Sequence, residues 1–218
     1  MMLDLQLPSP APYVIAVTGH RDLRPQDLAA LREEVRKILV GIRARVDGRP
    51  LLVLSGLAEG ADQLVAEVAL ELGVSLAAIL PMPLDIYRVQ MPEAAQKELD
   101  ELLARSEMRV ELPLEGCTPE QLRTSNDALA ACYESLALFL VRHGQALIAL
   151  WDGKHSDKPG GTCRVVQYAR FGAKESAEKV ETHCDVVYHV VTPRTSGKGT
   201  PLEIRTVTLE RRPHGASN

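Results

Sequence analysis

Short unbroken apolar runs alternate along the chain with stretches whose apolar residues recur every three or four positions. The runs are 13–18, 51–55, 75–80, 146–151 and 186–191. Continuous apolarity over five or six residues, rich in Val, Ile and Leu, predicts strands buried on both faces. After Pro25, the residues Leu28, Leu31, Val35, Ile38, Ile42 and Val46 mark one face of a helix ending near Asp47-Gly48. Leu64, Val65, Val68, Ala69 and Leu72 mark a second helix, with Gly73 as its C-terminal stop. The same reasoning predicts helices over 92–105, 118–142 (with a break) and 162–171, and a short strand over 108–112. Strand and helix alternate, so the fold class is α/β: a Rossmann-like, mostly parallel sheet with helices on both faces. After Pro193 the pattern changes. Residues 195–200 read as a polar loop, 203–209 as an edge strand and 211–218 as a flexible tail. This predicts a single domain over 1–194 and a C-terminal edge strand and tail over 195–218.

In open parallel sheets, ligands sit outside the carboxyl ends of the strands. Gly19, His20 and Arg21 follow the first strand. The second ends in Ser55 and runs into Gly56, Leu57, Ala58, Glu59, Gly60 and Asp62. Pro81 ends the third, with Tyr87 and Arg88 shortly after, read as a surface loop or as a flap over the base. Asp152 follows the 146–151 strand, and Gly160-Gly161-Thr162 opens the next helix. Glycines allow tight turns and close backbone approach. A helix starting just behind them aims free N–H groups and a partial positive charge at an anion. Two such turns suit a nucleotide or nucleotide-derived ligand, with Arg21 on phosphate and Glu59, Asp62 or Asp152 on hydroxyls or in catalysis. Asp62 can equally cap its own helix, and Asp152 can serve its turn. Arg194 stands near enough to the end of the last core strand to be a further candidate.

The G-x-x-x-x-G-K-[ST] and G-x-G-x-x-G fingerprints are absent, which argues against P-loop nucleoside triphosphatases and standard dinucleotide dehydrogenases. The 54–62 stretch instead resembles the S-G-(G/L)-A-x-G-x-D turn of the SLOG superfamily, which unites DNA-processing protein A with the lonely-guy phosphoribohydrolases. Thr18-Gly19-His20-Arg21 is similar to that family's first-strand turn, and Pro159-Gly160-Gly161-Thr162 resembles its P-G-G-x-G-T-x-x-E turn, one residue short. The resemblance spans about 14–191 and implies a Rossmann-like sheet with nucleotide ligands. The position of the family's catalytic glutamate falls on Val165, which cannot stabilise an oxocarbenium-like transition state. The resemblance therefore favours a nucleotide sensor, as in bacterial SLOG modules, over a phosphoribohydrolase-like N-glycosidase using Glu59, Asp62 or Asp152. Turnover stays open.

Composition narrows the partners. A net charge of -4 and 4% aromatic residues weigh against nucleic acid as the main ligand, because such binding rests on basic grooves and stacking platforms. Cys117, Cys132, Cys163 and Cys184 show no zinc spacing and read as reduced thiols, so neither a metal nor a cofactor is expected. No signal peptide or membrane-length apolar stretch is read, so the expected location is cytoplasmic. A homodimer is expected from base rate alone.

Overall fold

The computed structural model describes residues 9–173, 182–197 and 203–210. Among the described residues, seven strands form one sheet in the order β4-β3-β2-β1-β5-β6-β7. They are β1 (Tyr13–Gly19), β2 (Leu51–Ser55), β3 (Ser75–Leu80), β4 (Met108–Glu111), β5 (Ala146–Trp151), β6 (Val186–Val191) and β7 (Thr206–Glu210). Every neighbouring pair is parallel except β6 with β7, which is antiparallel. The edge strand expected at 203–209 is thus β7; the 211–218 tail and 198–200 lie outside the described residues.

The continuous apolar runs are explained by two covered faces. Along β1, Ile15 and Val17 point to α1 (Leu28–Arg45), α2 (Ala61–Glu71) and α4 (Glu93–Arg105), joining Leu31, Val35, Val65 and Leu99 in one core. Val14 and Ala16 point the other way, to α6 (Asn126–His143) and α7 (Thr162–Phe171), joining Leu136, Leu140, Val165 and Ala169. Each such fully buried aliphatic side chain contributes roughly 1.5–3 kcal/mol through removal from water.

Two local features differ from the sequence expectation, and one expected break is located. Pro25 opens a 3-10 turn over Pro25–Asp27, and α1 begins only at Leu28. The break expected in the helix over 118–142 falls between α5 (Pro119–Leu122) and α6. Thr118 closes a capping box on α5, and the Ser125 side chain accepts from Ala128 N at 3.2 Å, restarting the helix. The surface loop or flap expected at Tyr87 and Arg88 is instead the short helix α3 (Leu84–Arg88). Ile86 and Tyr87 are buried, so this segment packs into the core, and Arg88 pairs with Asp100 at 2.8 Å.

The chain runs from β1 to its neighbour β2 on one side, whereas β5 joins β1 on the other side after the crossover from β4. The reversal puts the switch point between β1 and β5, where the splayed connections open a crevice at the carboxyl ends.

Candidate functional site

The crevice begins with His20 and Arg21 at the end of β1. His20 N donates to Leu150 O at 3.0 Å, prolonging the ladder from β1 to β5. Across the switch point, the Asp152 backbone N–H donates to His20 Nε2 at 2.9 Å. An accepting Nε2 is unprotonated, so the ring is neutral with its proton on Nδ1. The 3.2 Å approach of Nε2 to Asp152 Oδ1 is therefore not an ion pair. Burial, only partly offset by Asp152, holds the His20 pKa below its usual value. Asp152 Oδ1 accepts from Lys154 N at 3.1 Å, bending the chain away from β5.

Arg21 is an exposed residue whose guanidinium lies 5.3 Å from the centre of the Tyr133 ring. Asp22 does not pair with it: that carboxylate takes Arg194 at 2.9 Å and Ser196 Oγ at 2.5 Å. Arg194 is thereby committed to the rim and does not enter the crevice as a free cation.

The 55–62 turn follows β2. Gly60 has φ +85°, and a Cβ there would overlap the carbonyls of His20 and Arg21, so this position requires glycine. That closeness lets Ala61 N, in the first turn of α2, donate to His20 O at 3.0 Å. Leu57 is also left-handed, at φ 54°, and is fully buried. Its conformation is held by Ser55 Oγ, which accepts from Leu57 N at 3.0 Å. Tyr87 OH donates to Gly56 O at 2.8 Å from below. Ser55, Leu57 and Pro81 are buried, so what they offer the crevice is backbone.

Asp62 turns back into its own loop. Its Oδ2 accepts from Ala58 N at 3.4 Å, and the Gly56 N–H also supports it. Burial outweighs these bonds and the nearby Arg21, pushing the Asp62 pKa up to about 7. Glu59 is half-buried in the same loop.

The 159–162 turn repeats this arrangement with another carboxylate. Gly160, at φ +62°, packs so closely on α6 that a Cβ would overlap the Tyr133 backbone. Its N–H donates to Glu134 Oε2 at 2.7 Å. Glu134 Oε1 accepts from Tyr168 OH, whose oxygen in turn accepts from Arg164 Nε at 2.8 Å. Gly161 caps α7, and Thr162 is its half-buried first residue. Val165 is buried at 2% exposure, so no carboxylate enters the site from α7.

The structure thus gathers His20, Arg21, Asp62, Asp152 and the Gly160 turn around one edge. It adds Tyr133 and Glu134, which the sequence reading did not select. The available signal was Glu134 itself: it is the only acid in α6 beyond Asp127, inside a largely apolar helix. Each glycine turn carries a carboxylate of the protein itself on its N–H groups, where the sequence expectation had a ligand phosphate alone. Among the described residues, no group of three or more His, Cys, Asp or Glu is placed to hold a metal ion, and no helix is long and apolar enough to cross a membrane.

The fold is a Rossmann-like α/β sheet with its topological switch point between β1 and β5. No protein-family model matches the chain, and no curated protein matches it. Among solved structures it is similar to DNA processing protein A from Streptococcus pneumoniae, at 21% identity and a TM-score of 0.48, over 73% of this chain and 48% of that one. It is also similar to DNA processing protein A from Helicobacter pylori, described for its single-stranded DNA binding mode, at 19% identity and a TM-score of 0.45, over 72% and 61%. A third, TM1055, shares 14% identity at a TM-score of 0.36, over 63% and 59%. DNA processing protein A is one of the families whose glycine turn the 54–62 stretch resembles. The chain spans about half the length of the Streptococcus pneumoniae protein.

Proposed function

We propose that the crevice between β1 and β5 binds a nucleotide or nucleotide-derived ligand, with Arg21 pairing with its phosphate. One observation carries this reading: the Arg21 guanidinium stands on the Tyr133 ring, with the Gly60 turn packed on the Arg21 carbonyl and the Gly160 turn packed on Tyr133. Arginine supported on an aromatic face presents a fork matched to phosphate oxygens. Gly60 and Gly160 bring the α2 and α7 starts to the same edge, and helix starts favour anions. Asp152 and Glu59 are the carboxylates we assign to ribose hydroxyls.

A thermal-shift panel of mono-, di- and triphosphates, cyclic nucleotides, NAD and ADP-ribose tests the reading. A ligand at a hundred times its Kd stabilises by about 2.7 kcal/mol, which raises Tm by roughly 5–10 °C in a chain of this size. A selective shift is expected; a flat panel counts against a nucleotide site.

The Glu134 carboxylate at the second turn favours a second reading, N-glycoside hydrolysis, because it supplies from α6 the acidic group that Val165 denies α7. Chromatography of nucleoside monophosphates or NAD after long incubation decides it: released base supports turnover, and its absence leaves binding alone. Single-stranded DNA is the competing occupant. The net charge of -4 weighs against it, and a salt-dependent mobility shift of labelled single strands would favour it.

A further inference from the structure

β4 closes one side of the sheet, with β3 as its strand neighbour among the described residues. An edge strand leaves a row of backbone N–H and C=O groups open to a further strand. The side chains of β4 divide by face. Met108 and Val110 are half-buried and pack with Leu112 into the core that includes Leu136 and Leu140 of α6. Arg109 and Glu111 are exposed on the other face, where the Arg109 guanidinium donates to the Glu111 carboxylate. Residues 107–113 thus read Glu-Met-Arg-Val-Glu-Leu-Pro, with opposite charges placed evenly about Val110. The opposite edge, β7, carries Glu210 as its one charged residue, so no such pattern marks it.

We propose that a second copy of this chain docks on that edge: the two β4 strands pair antiparallel about a two-fold axis at Val110, and one sheet runs through both copies. Residues directly opposite in an antiparallel pair share a face, so the axis must pass where one residue meets its own copy. An axis at Arg109 sets Arg109 against Arg109 and Glu107 against Glu111. An axis at Glu111 sets Glu111 against Glu111. Like charges directly opposite are destabilising, and opposite charges stabilise. The axis at Val110 alone sets Arg109 of each copy against Glu111 of the other. It also sets Val110 against Val110 and Met108 against Leu112, which continues the apolar face from one copy to the next. Charge therefore selects both the partner and the register. The contact is isologous, so it closes at two copies. This inference is independent of what the crevice binds.

The test is sedimentation equilibrium of the full chain and its charge variants. The wild type is expected to form a dimer that dissociates on dilution. Arg109→Glu sets Glu against Glu at both places, and Glu111→Arg sets Arg against Arg. Each is expected to raise the dimer dissociation constant at least about tenfold. Mixed in equal amounts, the two variants face each other with opposite charges at both places, and the mixed dimer is expected to recover the wild-type constant. Val110→Cys gives a second measurement that does not depend on those variants folding. The axis holds the two Cα atoms within about 5.5 Å, inside the reach of a disulfide. Mild oxidation is expected to give a covalent dimer, with peptide mapping joining position 110 to position 110. A wild type that stays monomeric at its highest soluble concentration, a dimer indifferent to both single variants, a mixture that fails to recover, assembly beyond two copies, or no 110–110 cross-link overturns the inference.

Discussion

The backbone N–H of Asp152 donates to His20 Nε2 at 2.9 Å, joining the ends of β1 and β5 across the point where the sheet's winding reverses. A side chain from one strand thus satisfies a backbone donor just past the other, and it does so only while the imidazole is neutral.

Acid is expected to act on this bond. The His20 pKa is lowered by burial from the 6.5 of an unfolded chain. The unfolded state therefore binds the proton more readily, and stability falls as pH drops from about 6.5 towards the lower folded value. His20→Ala is expected to remove that acid limb. It also leaves the Asp152 N–H without its acceptor, costing about 1–3 kcal/mol at neutral pH. Denaturant midpoints of both proteins across pH check the expectation; parallel curves would contradict it.

Asp62 bears on stability with the opposite sign. Its folded pKa of about 7 lies above the 3.8 of an exposed carboxyl. The folded state then holds more protons between those values, so stability falls as pH rises through that window and levels off above it. Asp62→Asn is expected to flatten the slope between about pH 4 and pH 7, measured by urea unfolding. With no charge over the Gly56 and Ala58 N–H groups, it is also expected to bind an anionic nucleotide more tightly than wild type at about pH 8.

Two glycines give a matched comparison. Gly160 has a left-handed φ and a Cβ there would overlap the Tyr133 backbone, so Gly160→Ala is expected to destabilise by about 1–3 kcal/mol. Gly41 lies inside α1 with nothing near its Cβ position, so Gly41→Ala is expected to stabilise by about 0.5–1 kcal/mol. Calorimetric Tm values moving the same way for both would contradict the packing described for the second turn.

Tyr87→Phe removes the hydroxyl that donates to Gly56 O and leaves that carbonyl buried. A loss of about 1–3 kcal/mol is expected in chemical denaturation. An unchanged midpoint would mean that Tyr87 serves the core by its ring alone.

The strands were legible because burial on two faces writes itself as unbroken apolar runs: β2, β3, β5 and β6 fall where those runs lie. Gly60 and Gly160 were legible because backbone packed that closely admits no side chain. Tyr87 was read as surface, loop or flap, because a tyrosine between prolines looks alike on the surface and in the core; what buries it is α3, five residues long and without a clear period of its own. Glu134 was missed because its role depends on α6 lying against the 159–162 turn. That contact joins positions 26 residues apart and leaves no local spacing to read. Asp62 was read with two roles, ligand or cap; its carboxylate turns back to the Gly56–Ala58 backbone, a choice set by tertiary burial.

The central claim is that an anionic ligand binds through Arg21 at the switch point. Isothermal titration of wild type and Arg21→Ala, with the nucleotide giving the largest thermal shift and at fixed ionic strength, tests it most directly. The account expects Arg21→Ala, which gives up the stacking on Tyr133, to stay folded without ligand and to bind at least about tenfold more weakly, a loss of about 1.4 kcal/mol. Equal dissociation constants for the two proteins would contradict it and move the ligand away from the crevice between β1 and β5.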